Sequence, residues 1–106
     1  MTEEITPFEI DVPGTDLADL RDRLRRTRWP DRETVGDWSQ GTPLGYVQDL
    51  CRYWASGYDW QARAARLNQF PQSRTFIDGL DLHFLHVRSP HAGALPLIMT
   101  SGWPGR

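Results

Sequence analysis

Lysine is absent from this 106-residue sequence, and cysteine occurs once, at Cys51. All twelve basic residues are arginine, and since no local chemistry excludes lysine everywhere, this composition indicates a GC-rich, bacterial genome. A single cysteine excludes a framework of internal disulfides. The longest apolar stretch, 94–99, is too short to cross a bilayer, and the N-terminus lacks the basic and apolar regions of a secretory signal. We therefore expect a soluble, cytoplasmic protein.

An excess of positive charge is also lacking, because twelve arginines are set against fourteen acidic residues, for a net charge of −2. This balance argues against a nucleic-acid partner. The arginine-rich stretch 21–28 is interleaved with aspartates and is typical of a solvated helix face. Hydrophobic residues make up only 39% of the chain, yet aromatic residues make up 11%, which supplies large apolar surfaces that disordered chains lack. The chain has the size of one small domain or of part of a larger one.

Three short helices are predicted within the first seventy residues, at about 14–28, 42–57 and 59–68. The first has leucines at a helical spacing, with acidic residues early and arginines late, which suits the helix dipole. The second begins with Thr42 as N-cap and Pro43 as the first helical residue.

The pattern changes to strands after Phe70-Pro71. Residues 74–77 and 80–87 flank Asp78-Gly79, a pair that favours a two-residue type I′ hairpin. The apolar run at 94–100 lacks alternation and predicts a strand buried on both faces. The segment 5–13 is expected to be an extended lead-in.

We therefore predict an α/β fold. An N-terminal helical segment, 1–72, precedes the start of a sheet, 73–106, with an antiparallel hairpin and one buried strand. The sheet is incomplete, since a buried strand needs neighbours that this sequence does not supply.

The Gly-rich turn at 101–105 is the most informative candidate site. Functional sites in open α/β sheets gather at the carboxyl ends of strands, and such a turn can aim backbone N–H groups at a developing negative charge. The Trp103-Pro104 bond can adopt the cis form at modest cost. From spacing alone, an ordinary strand-ending turn remains the favoured interpretation.

Other chemistry-bearing residues favour structural roles. His83 and His86 are three apart, which puts them on opposite faces of a strand, so no metal site is expected. Cys51 falls on the apolar face of the second helix and is interpreted as a core residue rather than a nucleophile. The tryptophans at 29, 38, 54 and 60 are interpreted as packing anchors rather than a ligand cage.

From Thr6 onward, the chain resembles the N-terminal region of microsomal-type epoxide hydrolases, which belong to the α/β-hydrolase superfamily. The stretches that carry this resemblance follow the order and spacing of the family. They are PFEIDVP at 7–13, LRDRLRRTRWPD at 20–31, YDWQARAARLNQFPQ at 58–72, FIDGLDLHFLHVRS at 76–89 and LPLIMTSGWPG at 95–105.

The resemblance implies a role for the turn. In the family, a His-Gly-X-Pro turn uses the backbone N–H of X to hold the oxyanion formed when a covalent ester is hydrolysed. Trp103 matches X, and Gly102 and Pro104 match the residues beside it. Ser101 stands where the family has His, and Arg106 where it has Ser, so the hydrogen bonds that support the turn are in doubt.

The resemblance also implies that most of the catalytic machinery is missing. The family's nucleophilic Asp, its lid tyrosines and its His/acid pair all match positions beyond residue 106. The expected function is the N-terminal portion of an epoxide hydrolase, inactive alone, without metal or cofactor. Its partner would be the missing C-terminal part of the enzyme. The alternative is a stand-alone, non-catalytic module that binds a partner or self-associates through its exposed sheet edge.

Overall fold

The computed structural model describes residues 4–104 and contains three helices and three strands. In chain order the elements are β1 (Thr6–Pro7), α1 (Gly14–Arg25), α2 (Leu44–Ser56), α3 (Trp60–Leu67), β2 (Gln72–Ile77) and β3 (Leu80–Leu85). The predicted helices and the predicted hairpin are all present, with bounds that differ by a few residues from the sequence-based ones.

Helix α1 has the charge pattern that its sequence predicts. Asp16 lies in its first turn and Arg25 in its last, where each charge opposes the partial charge of the helix end. The Arg23 Nε lies 2.8 Å from an oxygen of Asp19, an exposed pair at the i,i+4 spacing. Such surface pairs contribute only a few tenths of a kcal/mol, so the contact of α1 with α2 matters more for its position.

Helix α2 begins differently from the prediction. Pro43, not Thr42, is the N-cap residue, and it provides no side-chain cap. Instead, a carboxylate oxygen of Glu33, in the preceding loop, accepts the backbone N–H of Leu44 at 2.9 Å. This hydrogen bond lowers the pKa of Glu33 below its ordinary value of 4.5, and the charge of Arg32 acts in the same direction. The cap is therefore supplied from eleven residues away, which the local sequence does not reveal.

Helix α3 has the predicted ends. The carboxylate of Asp59 accepts the N–H of Ala62 at 3.0 Å, as expected of an N-cap aspartate. Asn68 is the C-cap residue.

The sheet is antiparallel, in the order β1-β2-β3. Its hairpin closes on the pair Ile77 and Leu80. Asp78 and Gly79 both have positive φ, at 50° and 78°, which confirms the turn expected from Asp-Gly. On the other side of β2, Thr6 pairs with Arg74, so the extended lead-in is in fact a short third strand.

A polar network joins the N-terminal segment to α3 and the hairpin. The side-chain amide of Asn68 accepts the Ile10 N–H at 2.8 Å and donates to the Ile10 carbonyl at 2.9 Å. The amide nitrogen of Gln72 donates to the Leu67 carbonyl at 3.0 Å. Its oxygen therefore faces the His83 Nε2, at 2.8 Å, and that nitrogen carries the proton. Two side-chain amides thus join three separate parts of the sequence: the N-terminal segment at Ile10, the end of α3 with the start of β2, and His83 of β3.

The chain is far more open than a compact domain of its size. Its radius of gyration is 20.0 Å, against about 13 Å for a compact chain of this length. Its accessible surface is 9866 Å², whereas a compact protein of 12.2 kDa exposes about 6,100 Å². The buried apolar residues in the described part of the chain are Leu17, Ala55 and Ala64. A core of this size leaves most aromatic and aliphatic surface uncovered.

The prediction of a buried strand at 94–100 is wrong. These residues form no strand in the structure, and Leu95 and Ile98 are 92% and 89% exposed. The reason is that no other strand of the described chain lies beside the run, so its backbone has no ladder to join and its side chains have no layer to pack on. The division of the chain at residue 72 remains a prediction.

Replacing Asn68 with Ala should release the N-terminal segment. Both backbone groups of Ile10 lose their partners, at a cost of about 1–3 kcal/mol for a pair left unsatisfied. We expect the Ile10 amide to exchange with solvent at least about tenfold faster, measured by NMR hydrogen exchange. Asn68→Asp keeps only the hydrogen-bond acceptor, so its Ile10 exchange rate should lie between those of the unsubstituted chain and Asn68→Ala. The exposed neighbour variant Gln69→Ala is the control, and equal exchange in all three variants would contradict the assignment.

The Glu33 cap should make the start of α2 sensitive to acid. Because the pKa of this carboxyl is lowered in the folded chain, its stabilising contribution is complete above the ordinary pKa and is lost as the pH falls through the lowered one. We expect the Leu44 amide proton to titrate in NMR spectra with a midpoint below 4.5. Glu33→Gln should abolish this titration and Asp31→Asn should leave it intact. A midpoint at or above 4.5 would show that Glu33 does not cap the helix.

Candidate functional site

The turn that the sequence singles out lies at the end of the described chain. The Trp103–Pro104 peptide bond is cis, the isomer that the sequence allowed. Trp103 is 89% exposed, and a Cβ placed on Gly102 would meet nothing within 4 Å. In this structure the turn is therefore an open segment, with its backbone accessible from solvent. Gly105 and Arg106 lie outside the described residues.

Within residues 4–104 no hydrogen bond links the turn to another side chain. Among the hydrogen bonds of the described chain, none holds the Ser101 hydroxyl or engages the Trp103 N–H. The N–H of Trp103 is thus free to donate to a ligand or to a developing anion. The role of Ser101, Gly102, Trp103 and Pro104 as an oxyanion turn remains a prediction, because one donor without a nucleophile performs no reaction.

An apolar groove of about 540 Å³ lies between α1 and α2. It is lined by aliphatic and aromatic side chains, namely Val12, Leu17, Leu20, Leu50, Tyr53, Trp54, Tyr58 and Trp60. The volume is within the range of ligand pockets, but a ligand pocket also carries a few convergent polar groups that orient its ligand. This groove has almost no polar groups. Its lining is therefore typical of a surface that packs against other apolar side chains rather than of a ligand pocket.

The titratable groups of the hairpin form a structural cluster rather than an active site. Arg74 and Asp81 form an ion pair across β2 and β3, and Arg74 also lies over the ring of Phe8, 5.6 Å from its centre. The ring of His83 packs edge-on against Phe8, with centres 5.0 Å apart. With one nitrogen bonded to Gln72 and the ring packed, His83 helps to hold β1 on the sheet.

No group of three or more His, Cys, Asp or Glu side chains within 4–104 is placed to hold a metal ion. Cys51 is a free thiol, half-buried on α2, and the pairing of Trp38 with Tyr46, at 5.1 Å between centres, is an edge-on packing contact. Of the helices within 4–104, none combines the length and the apolarity needed to cross a bilayer.

Sequence reasoning missed the groups that organise the fold. The hydrogen bond between Glu33 and Leu44 joins residues 11 apart, and the bonds between Asn68 and Ile10 join residues 58 apart. Local sequence patterns cannot show contacts of this range. The one available signal was the position of Asn68 at the end of a helix, because an asparagine side chain can both donate and accept a hydrogen bond. The hydropathy pattern also failed to predict that 94–100 is exposed, since an apolar run predicts burial whether or not a covering layer is present.

Comparison with known proteins matches this chain to one family over almost its whole length. The family described as "Epoxide hydrolase N terminus" matches residues 5–106. A protein of Stigmatella aurantiaca (strain DW4/3-1) that bears the name of an epoxide hydrolase is 58% identical over 101 residues, covering 95% of this chain and 23% of its own length. Epoxide hydrolase 1 of Sus scrofa is 33% identical over 107 residues, covering 97% of this chain and 24% of its own length.

Solved structures give the same result. The Aspergillus niger epoxide hydrolase superposes with a TM-score of 0.85 at 31% identity, over 96% of this chain and 27% of that protein. The juvenile hormone epoxide hydrolase of the silkworm Bombyx mori superposes with a TM-score of 0.79 at 28% identity, over 87% of this chain and 24% of that protein. These neighbours are α/β hydrolases, and the three helices and three antiparallel strands match the N-terminal portion of that architecture.

The chain spans about a quarter of the length of the relatives that it matches. The predicted resemblance is therefore confirmed, and the open shape of the molecule agrees with a segment that forms only part of a larger fold. On the match over residues 5–106, this chain belongs to the epoxide hydrolase N-terminal family.

Proposed function

We propose that the chain serves as the N-terminal quarter of an epoxide hydrolase, which converts epoxides to diols through an ester on an aspartate. The nucleophile, the groups that polarise the epoxide oxygen and the base that activates water would come from the other three quarters of the enzyme. The single observation that carries this proposal is the match of residues 5–106 to the N-terminal portion of enzymes about four times as long.

The uncovered surface supports this role. The chain exposes roughly 3,800 Å² more than a compact protein of its mass, an excess comparable to the area that obligate interfaces bury. The excess includes the apolar groove and the run 94–100. Contiguous apolar patches of this kind mark surfaces that bind another protein surface. The remaining part of the hydrolase, on the same polypeptide or a separate one, is the proposed partner.

Within the complete enzyme, the chain would supply scaffold and one hydrogen-bond donor. When water attacks the ester, the carbonyl oxygen becomes negative, and a fixed N–H aimed at it stabilises that charge. The N–H of Trp103 is the proposed donor, since it is free in this structure and follows the apolar run directly. A backbone donor is independent of the side chain, so tryptophan is compatible with the role.

A chimera tests the proposal. The N-terminal quarter of the Stigmatella aurantiaca relative is replaced by residues 1–106 of this chain, and diol formation from a simple aryl epoxide such as styrene oxide is measured. We expect the chimera to retain hydrolysis and the 106-residue chain alone to have none. Supplying the two parts as separate polypeptides tests assembly in trans, with the relative's own N-terminal quarter as the matched control. A folded chimera without activity, beside an active parent, would refute the proposal.

Replacing Ser101 with His in this chimera should improve the turn. An imidazole at this position can bond the turn backbone and hold the Trp103 N–H in place, so we expect ester hydrolysis to be roughly tenfold faster, equivalent to about 1.4 kcal/mol of activation free energy. Single-turnover kinetics separates this step from ester formation. Ser101→Ala is the control and should leave the rate unchanged. If Ser101→His changes neither this rate nor the melting temperature, the serine does not compromise the turn.

A further inference from the structure

The turn at the tip of the hairpin holds two groups that can react with each other. Asp78 and Gly79 form the only Asp-Gly pair in the sequence, and both residues are exposed. A bond from the Gly79 nitrogen to the side-chain carboxyl carbon of Asp78 closes a five-membered ring. Glycine hinders this closure less than any other residue, because it carries no Cβ. The turn therefore contains the two partners of a cyclic imide.

Neither partner is engaged elsewhere in the described chain. Within residues 4–104, no hydrogen bond or ion pair holds the Asp78 carboxylate, and none uses the Gly79 N–H. Arg74, the arginine of the hairpin, is bound to Asp81 instead. A Cβ placed on Gly79 would meet nothing within 4 Å, so the backbone of the turn has room to rotate.

The conformation of the turn keeps the two partners apart. Asp78 and Gly79 have φ angles of 50° and 78°, which are typical of a type I′ turn. The first central residue of such a turn has a ψ of about +30°. At this angle the Gly79 nitrogen lies nearly opposite the Asp78 Cβ across the Cα–C bond. Ring closure needs both on the same side, at the ψ of about −120° that the first central residue has in a type II′ turn.

Rotation of one peptide unit supplies this geometry while the strands stay paired. Types I′ and II′ both connect two strands through a two-residue loop, and both have a positive φ at the first central residue. The change flips the peptide plane between Asp78 and Gly79 and makes the φ of Gly79 negative. Glycine adopts either sign of φ readily. The flipped turn strains an L-residue at Asp78, so it is a minor state that ring closure captures.

We propose that Asp78 is a site of self-modification, at which the flipped turn closes to a succinimide that water opens to aspartate or isoaspartate. The Gly79 nitrogen bonds to the side-chain carboxyl carbon. One carboxyl oxygen leaves as water, with the amide proton and one proton from solvent. Water then breaks either bond between the ring nitrogen and a carbonyl carbon. Cleavage at the side-chain carbon restores aspartate, and cleavage at the main-chain carbon leaves isoaspartate.

The two modified forms affect the hairpin differently. The succinimide keeps a hairpin turn and removes one negative charge. Isoaspartate inserts a methylene into the backbone of a two-residue turn, so Ile77 and Leu80 no longer pair in their present register. We expect the Leu80 amide to exchange with solvent at least about tenfold faster in this form. The reaction joins adjacent residues, so it depends on no free sheet edge, and it goes beyond the hydrolase role.

Peptide mapping of the full 106-residue chain, stored at neutral pH and physiological temperature, tests the site. Trypsin releases residues 75–88 as one peptide, in which Asp81 is the internal control. Mass spectrometry and labelling by an isoaspartyl methyltransferase should show a form lighter by one water and an isoaspartate form, both at Asp78. Asp78→Glu should show neither. Asp78→Asn also suits a type I′ turn and should reach the same succinimide, with loss of ammonia, at least about tenfold faster.

A cross-linked hairpin tests whether the ring closes while the strands stay paired. Thr75 and Leu82 face each other across β2 and β3, and Cα atoms of a hydrogen-bonded pair are about 5.5 Å apart, within the range that a disulfide spans. Thr75→Cys with Leu82→Cys, in a Cys51→Ser background, is compared in its oxidised and reduced forms, with circular dichroism to confirm the fold.

The oxidised and reduced forms should modify Asp78 at the same rate. A rate at least about tenfold lower in the oxidised form would overturn the proposal, because ring closure would then require an open hairpin. Stored chain in which Asp78 stays unmodified, or in which Asp81 is modified as readily, would overturn it as well.

Discussion

The hydrogen bonds between the Asn68 amide and both backbone groups of Ile10 hold the molecule together. They join residues 58 apart, at the point where the N-terminal segment passes the end of α3. The side-chain amide of Gln72 extends this hydrogen-bond network to His83 in the hairpin. Beside it, β1 pairs with β2. These hydrogen bonds and the pairing of β1 with β2 join the N-terminal segment to the sheet, because the buried apolar residues of the described chain, Leu17, Ala55 and Ala64, form too small a core to do so.

The small core explains which features could be predicted from the sequence. The start of α3 at Asp59 and the turn at Asp78-Gly79 depend on a few neighbouring residues, so local chemistry predicts them well. Glu33, Asn68 and β1 act through contacts between distant segments, and no short pattern encodes them. The run 94–100 shows the opposite error: its apolarity predicts burial, but no layer that would cover it is present among the described residues, and it is exposed. The role of the candidate turn remains a prediction, because its residues can be named from the sequence whereas a catalytic partner for them cannot.

The surfaces of the chain are consistent with a segment of a larger hydrolase fold. Its groove between α1 and α2 and its run at 94–100 are apolar, whereas Glu33 and the hairpin residues Arg74, Asp81 and His83 are engaged in structural bonds. The match over residues 5–106 and the open shape support the proposal that this segment would supply scaffold and one backbone donor to a hydrolase whose reactive groups lie in its remaining part.

The central claim is that the rest of a hydrolase covers the apolar surfaces of this chain. Hydrogen exchange followed by mass spectrometry tests this most directly, by comparing the backbone amides of 94–104 in the isolated chain with the same residues in the chimera. The account predicts rapid exchange in the isolated chain and strong protection in the chimera, where the run would gain neighbouring strands. Equally rapid exchange in both proteins would contradict it.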